Sequence, residues 1–124
     1  MPSADYLRLM LFGYLLTITV ETAVLLVGLS RRHPIRNRVF AGVWLTACTY
    51  PVVWLVIPPL IEDRGWYLLI AETFAPVAEC ILFWAAFIRL KTPDRGATVR
   101  DMIAIIVANL CSFGLGELIY YVRD

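Results

Sequence analysis

Four glutamates lie inside long apolar stretches of this 124-residue chain, where carboxylates are expensive: Glu21, Glu72, Glu79 and Glu117. A charged side chain at the centre of a bilayer costs about 2.5–3.5 kcal/mol on insertion scales, and such residues usually belong to ion or proton pathways. No lysine or arginine lies deep in the same stretches to neutralise them. Each carboxyl is therefore predicted either to carry a proton or to hold a cation, which is the chemistry of a proton relay or a cation path.

The spacing of the glutamates predicts where they lie relative to one another. Glu72 and Glu79 are seven residues apart, which places them on one helix face about 10 Å apart along the axis. Counted from the ends of the apolar stretches, Glu72 and Glu117 fall in the outer third and Glu79 near the middle. Glu21 falls in the inner half. The acids are therefore expected at successive depths rather than in one plane.

Neutral polar residues accompany the acids. Glu21 shares a helix face with Tyr14 and Thr17, and Thr49 and Tyr50 precede Pro51 in the second apolar stretch. The candidate pathway residues are Glu79, Glu72, Glu21, Asn109, Ser112, Tyr50 and Glu117. The neutral members also have a purely structural interpretation, as interhelical hydrogen bonds contributing about 0.6 kcal/mol each.

Four apolar stretches must position these residues: 6–29, 39–60, 67–90 and 102–121. Each has at least the roughly 20 residues that a helix needs to cross a bilayer. The chain is 60% hydrophobic and 17% charged, with a mean hydropathy of +0.75. That balance excludes a soluble domain, a disordered chain and a nucleic-acid binder. Because the connections are short, residues 1–124 are predicted to form one all-α domain, a four-transmembrane-helix up-down bundle.

Basic residues indicate the orientation of the bundle. Eight lie in the first and third connections: Arg31, Arg32, Arg36, Arg38, Arg89, Lys91, Arg95 and Arg100. Three lie on the other side: Arg8, Arg64 and Arg123. The positive-inside rule then predicts cytoplasmic basic loops and both termini outside, in an integral protein of a bacterial inner membrane.

Small residues recur every four positions in the last stretch, at Ala104, Ala108, Ser112 and Gly116. Such a ladder lets helices approach closely in membranes. It predicts a helix-packing surface, either within the bundle or against another chain. The expected partners are the lipid bilayer and either a second copy of this chain or the other subunits of a membrane complex.

Four short patterns follow one another along the chain: Glu-x-x-Val at Glu21, Thr49-Tyr50-Pro51-x-x-Trp, the two glutamates seven apart, and Asn-x-x-Ser at Asn109. In this order the chain resembles a set of small uncharacterised four-span bacterial membrane proteins. The resemblance implies the four-span fold and no activity. In that set the second motif resembles Thr-His-Pro, so Tyr50 stands where a histidine is expected, which argues against a metal site there.

Three function classes remain open. The first is a transporter or channel subunit for protons or cations, and the second is a non-catalytic accessory or assembly subunit. The third, a membrane enzyme acting on a lipid or quinone, is the least favoured because the nucleophile, zinc-protease and nucleotide-binding motifs are absent from the sequence. The single histidine, His33, lies in a basic connection and is interpreted as a loop residue. No cofactor is expected, and the sequence leaves open whether a metal is bound.

Overall fold

The computed structural model describes residues 4–123, and the side chains of 4–119. Helix α1 spans Ala4–Gly28. Helix α2 spans Ile35–Pro51 and continues through a π-helical turn, Val52–Val56, and a 3-10 turn, Pro58–Leu60. Helix α3 spans Arg64–Phe83 and continues through a π-helical turn, Trp84–Ile88, and α4 spans Arg95–Arg123.

Each of the four helical segments is long and apolar enough to cross a membrane. Helices that follow one another in the chain pack side by side, and α4 closes the bundle against α1. The all-α four-helix up-down bundle is therefore confirmed. The two basic connections lie at one end, here called the basic end. The termini and the connection 61–63 lie at the other, here called the opposite end.

All four helices begin before the apolar stretches predicted for them. Helices α3 and α4 start from the same tripeptide, Asp-Arg-Gly, and both aspartates cap the helix. Asp63 Oδ2 accepts a hydrogen bond from the backbone N–H of Trp66 at 3.0 Å. Asp94 Oδ1 accepts one from Ala97 at 3.1 Å. Hydropathy marks the lipid-embedded part of a helix, whereas its start depends on the capping of free backbone N–H groups.

Two arginines of the basic end cap the carboxyl terminus of α1. Arg38 Nη1 donates to the Leu26 carbonyl at 2.6 Å, and Arg100 Nε donates to the Gly28 carbonyl at 2.9 Å. The last carbonyls of a helix lack backbone donors and carry partial negative charge, so guanidinium groups satisfy both needs. These two residues do more than orient the chain.

Tyrosines from two neighbouring helices fasten the end of α2. Pro58 has no N–H, so the Trp54 carbonyl receives no backbone donor one turn later. The Tyr6 hydroxyl donates to that carbonyl at 2.6 Å. The Tyr67 hydroxyl donates to the neighbouring Val53 carbonyl at 2.8 Å. These two carbonyls, which lack backbone donors, thus accept hydrogen bonds that hold the end of α2 against α1 and α3.

The small-residue ladder of α4 is packed over only part of its length. Ala104 and Ala108 are buried, and Ala104 faces Gly28 of α1 so closely that a Cβ at Gly28 would stand 3.0 Å from the Ala104 Cβ. Ser112 is half-buried, and Gly116 is exposed with nothing within 4 Å of where its Cβ would lie. Among the described residues Ala104 and Ala108 pack within the bundle and Gly116 does not, so the packing of Gly116 against another chain stays a prediction.

Candidate functional site

Two of the predicted glutamates meet in the core of the bundle. Glu21 of α1 and Glu79 of α3 lie in hydrogen-bonding contact and are 3% and 1% exposed. We call them the carboxyl pair. Helices α2 and α4 complete the site, because Thr49 Oγ1 donates to Glu79 Oε2 at 2.9 Å and Asn109 Nδ2 donates to Glu79 Oε1 at 3.3 Å. Ser112 Oγ donates to Glu21 Oε2 at 3.3 Å. All four helices thus supply polar side chains to one buried point.

The carboxyl pair has the geometry of a proton-binding site. Its hydrogen-bond partners in the described part of the chain are neutral side chains. If both groups were ionised, two negative charges would be in contact at low dielectric, and Glu21 Oε1 would have no donor. One proton shared between the groups turns their contact into a hydrogen bond and removes both penalties, as in other paired carboxyl sites. The arrangement is chemically suited to take up and release a proton.

The contact between Glu21 and Glu79 corrects the prediction that they lie at different depths. Helix α1 ends at Gly28, seven residues after Glu21. The helical run of α3 extends through its π-helical turn to Ile88, nine residues after Glu79. Measured from the basic end, the two carboxyls therefore stand at nearly the same height. The predicted boundaries already placed the two glutamates only eight and eleven residues from this end, about 4.5 Å apart in height, and the long glutamate side chains span that difference.

One apolar layer separates the carboxyl pair from the basic end. Its four members, one from each helix, are at most 1% exposed: Leu25, Leu45, Phe83 and Ile105. Each lies four residues along its helix from a member of the site, on the basic-end side. Four residues are about 6 Å along a helix axis. We call this set the apolar layer.

A second polar cluster lies on the far side of the apolar layer. Asp101 is fully buried, and its carboxylate accepts from the Ser30 backbone N–H at 2.7 Å and from Arg32 Nη2 at 3.2 Å. His33 Nε2 lies 2.8 Å from Asp101 Oδ2, and the His33 ring is also fully buried. His33 does lie in the connection between α1 and α2, as interpreted, but its ring is buried against Asp101. The sequence signals this cluster only weakly. Asp101 directly precedes the fourth apolar stretch, and His33 lies in a connection at the same end of the bundle.

The remaining candidates lie toward the opposite end. Glu72 is half-buried, two helical turns from Glu79. Both oxygens of Glu117 accept from Arg64 Nη2, at 2.9 and 3.1 Å. Tyr50 packs against Tyr14, with ring centroids 5.2 Å apart. The structure thus assembles Glu21, Glu79, Asn109 and Ser112 into one site, and it leaves Glu72, Glu117 and Tyr50 outside it.

Thr49 is the one member of the site that the candidate list lacks. The sequence marks it only as a threonine ahead of the Tyr50-Pro51 pair. Its hydroxyl lies 3.1 Å from the Leu45 carbonyl of its own helix as well as 2.9 Å from Glu79. A threonine that bonds its own helix is indistinguishable in sequence from one that also reaches a neighbour.

No protein-family model matches the chain, and neither does any curated protein or solved structure. In the part of the chain that the structure describes, no group of three metal-ligating side chains is found. The geometry of the carboxyl pair is therefore the observation that bears on function.

Proposed function

We propose that this protein is a small integral membrane transporter or channel subunit that binds and relays protons at the carboxyl pair. The observation that supports it is the contact of Glu21 with Glu79 at a buried level to which every helix contributes a polar side chain. Buried carboxyls in membrane helices characteristically mark proton relays and ion pathways. The proposal includes the orientation that the basic residues predict, with the basic end in the cytoplasm of a bacterium.

The partners of the carboxyl pair favour a proton over a metal cation. Asn109 Nδ2 donates to the Ile105 carbonyl at 2.9 Å, and this bond sets the orientation of the amide. The amide therefore presents N–H, and not oxygen, to Glu79. A hard cation requires a shell of oxygen acceptors. A shell that donates hydrogen bonds to both carboxyls instead stabilises a pair that exchanges a proton.

The experiment is proton flux into proteoliposomes that contain a pH-sensitive dye, driven by an imposed membrane potential. Glu79→Gln keeps the shape of the side chain and one oxygen acceptor, for example for Asn109, but has no exchangeable carboxyl proton, so flux should be abolished. Glu62→Gln, at an exposed loop acid, is the matched control and should retain full flux. Unchanged flux in Glu79→Gln contradicts the proposal. If flux depends on sodium or potassium and not on pH, the transported ion is a metal cation and not the proton.

A second candidate function, a non-catalytic accessory or assembly subunit of a larger membrane complex, is favoured by the open part of α4. Gly116 continues the ladder of Ala104 and Ala108, but among the described residues nothing lies within 4 Å of where its Cβ would be. Small residues are the usual contact points between membrane helices. Gly116→Leu should reduce the yield of a stable larger complex purified from native membranes. Gly114→Leu changes a different face of α4 and should leave it unchanged, and equal effects of the two changes contradict this candidate.

A further inference from the structure

The cluster at the basic end contains a buried group that packing alone does not explain. His33 Nε2 contacts Asp101, but His33 Nδ1 is buried and has no hydrogen-bond partner in the described part of the chain. Buried side-chain nitrogens are nearly always hydrogen-bonded. The ring is also packed edge-on against Phe83, with centroids 5.0 Å apart. A histidine held this firmly by one nitrogen, with the other unpaired, calls for a chemical role.

We infer that His33 and Asp101 form a second proton-binding site, which exchanges protons between the carboxyl pair and the basic end; this rests on the proposed function. With Nε2–H directed at Asp101, the lone pair of Nδ1 is available. Proton uptake forms one N–H bond at Nδ1, the donor loses that proton, and the contact with Asp101 is kept. The carboxylate of Asp101 stabilises the resulting imidazolium, as carboxylates do for buried histidines elsewhere.

Phe83 connects the two sites and serves as the barrier between them. It follows Glu79 by four residues on α3, belongs to the apolar layer and is fully buried. Its ring contacts His33 on the other side of that layer. A change in the rotamer of this side chain would alter the packing between the two sites. As part of this proposal, the layer acts as a gate that opens when the Phe83 side chain moves.

Charged groups surround the second site on the side away from the apolar layer. Arg32 Nη2 shares the Asp101 oxygen that His33 contacts, and Arg38 Nε donates to the His33 carbonyl at 3.1 Å. Helix α3 presents the rings of Phe83 and Phe87 to the imidazole. A competing interpretation is that the cluster is a latch that holds the connection between α1 and α2 on α4. A latch accounts for the bonds to Asp101 but not for the unpaired Nδ1.

The first experiment uses the fact that the chain has a single histidine. With histidine labelled at the ring nitrogens, NMR of the wild-type protein in lipid nanodiscs gives one set of ring signals. The expected result is that the Nδ1 signal changes with pH as it gains a proton. A ring whose signals stay constant over the whole pH range in which the protein remains folded overturns the inference. This readout requires no variant and no transport, so it decides the second site even if the proposed function fails.

The second experiment measures proton flux in proteoliposomes. His33→Gln keeps an N–H donor for Asp101 but does not take up a proton, so flux should fall about 100-fold or more, the usual contribution of a positioned proton-transfer group. A latch predicts full flux in this variant, and that result overturns the inference. If Glu79→Gln also leaves flux unchanged, the proposed function has failed as well. If Glu79→Gln abolishes flux, only the second site is refuted.

The barrier has its own matched pair of variants. Phe83→Ala removes a ring from the apolar layer and should raise the passive proton leak. Phe87→Ala removes a ring that also faces His33 but lies outside the layer, and should leave the leak unchanged. An equal leak in the two variants refutes the assignment of Phe83 as the gate.

Discussion

At the scale of single residues, the chemistry of this chain depends on which neighbour each acid meets. Glu117 meets Arg64, and Asp101 meets His33 and Arg32, so both have cationic partners. Glu21 and Glu79 meet each other and neutral donors. An acid with a cationic partner is stabilised as a carboxylate, whereas two acids in contact need a proton between them. Glutamate therefore takes part in an ion pair at one place and in a carboxyl–carboxyl contact at another.

A hydrophobic carbodiimide, which reacts with protonated carboxyls in apolar surroundings, should separate these two kinds of acid. We expect an adduct on Glu21 or Glu79 and none on Glu117, located by mass spectrometry of the labelled protein. The yield should fall as pH rises, because the shared proton is then lost. Glu79→Gln and Glu21→Gln identify the reacting side chain. Labelling of Glu117 as readily as of the carboxyl pair contradicts a proton held at the pair.

Asn109 should be important for stability as well as for the site. Asn109→Ala removes the amide donor from the buried Glu79 carboxyl, so the free energy of unfolding should fall by about 1–3 kcal/mol, the cost of an unsatisfied buried group. Asn37→Ala, at the other asparagine of the chain, should change it by less than about 0.5 kcal/mol. Reversible unfolding in detergent measures both. Equal effects would show that the bond to Glu79 contributes nothing specific.

At the scale of elements, backbone groups that the helices leave unpaired are satisfied by side chains from elsewhere. Asp63 and Asp94 cap the starts of α3 and α4. Arg38 and Arg100 cap the end of α1. The first and last turns of a helix leave backbone groups without partners inside the helix, so such bonds help to determine where each helix begins and ends. The ends of the helices in turn set the heights of the residues they carry.

Helices α1 and α2 approach most closely at Gly42. A Cβ at that position would collide with the Thr22 side chain and crowd the backbone of α1. Gly42→Ala should therefore lower the free energy of unfolding by about 1–3 kcal/mol, as overpacking does. A Cβ at Gly114 would have nothing within 4 Å among the described residues. Gly114→Ala should therefore raise the free energy of unfolding by up to about 1 kcal/mol, because alanine is the better helix former. A stability loss in Gly114→Ala as large as that in Gly42→Ala contradicts this packing account.

At the scale of the whole molecule, the bundle is polar at its centre and at both ends, with the apolar layer on one side of the carboxyl pair. Toward the basic end that layer is continuous, since each helix contributes one buried apolar side chain. Toward the opposite end lie polar residues that include Glu72 and the ion pair of Glu117 with Arg64. Buried Ala71 and Ala75 of α3 also lie on that side, so the core there is mixed rather than purely apolar.

The orientation of the whole bundle is testable in cells. A reporter that is active only outside the cytoplasm should be active when inserted in the connection 61–63 and inactive when inserted in 89–94. The physical reason is the concentration of arginine and lysine in the connections of the basic end. A cytoplasmic reporter at the same two positions provides the control, with the reverse pattern expected. If each reporter showed the reverse of its expected pattern, the basic end would lie outside the cytoplasm.

The amino-acid sequence by itself determined the four-helix membrane bundle, because hydropathy, bilayer thickness and loop length act on local runs of residues. It also singled out four of the five side chains of the carboxyl-pair site by residue type. Only the tertiary structure decided that Glu21 meets Glu79 and that His33 is buried against Asp101. The height of one helix against another depends on where each ends and on contacts such as that of Ser30 with Asp101, 71 residues apart in the chain. Long-range contacts of this kind leave no periodic signal in the residues between them.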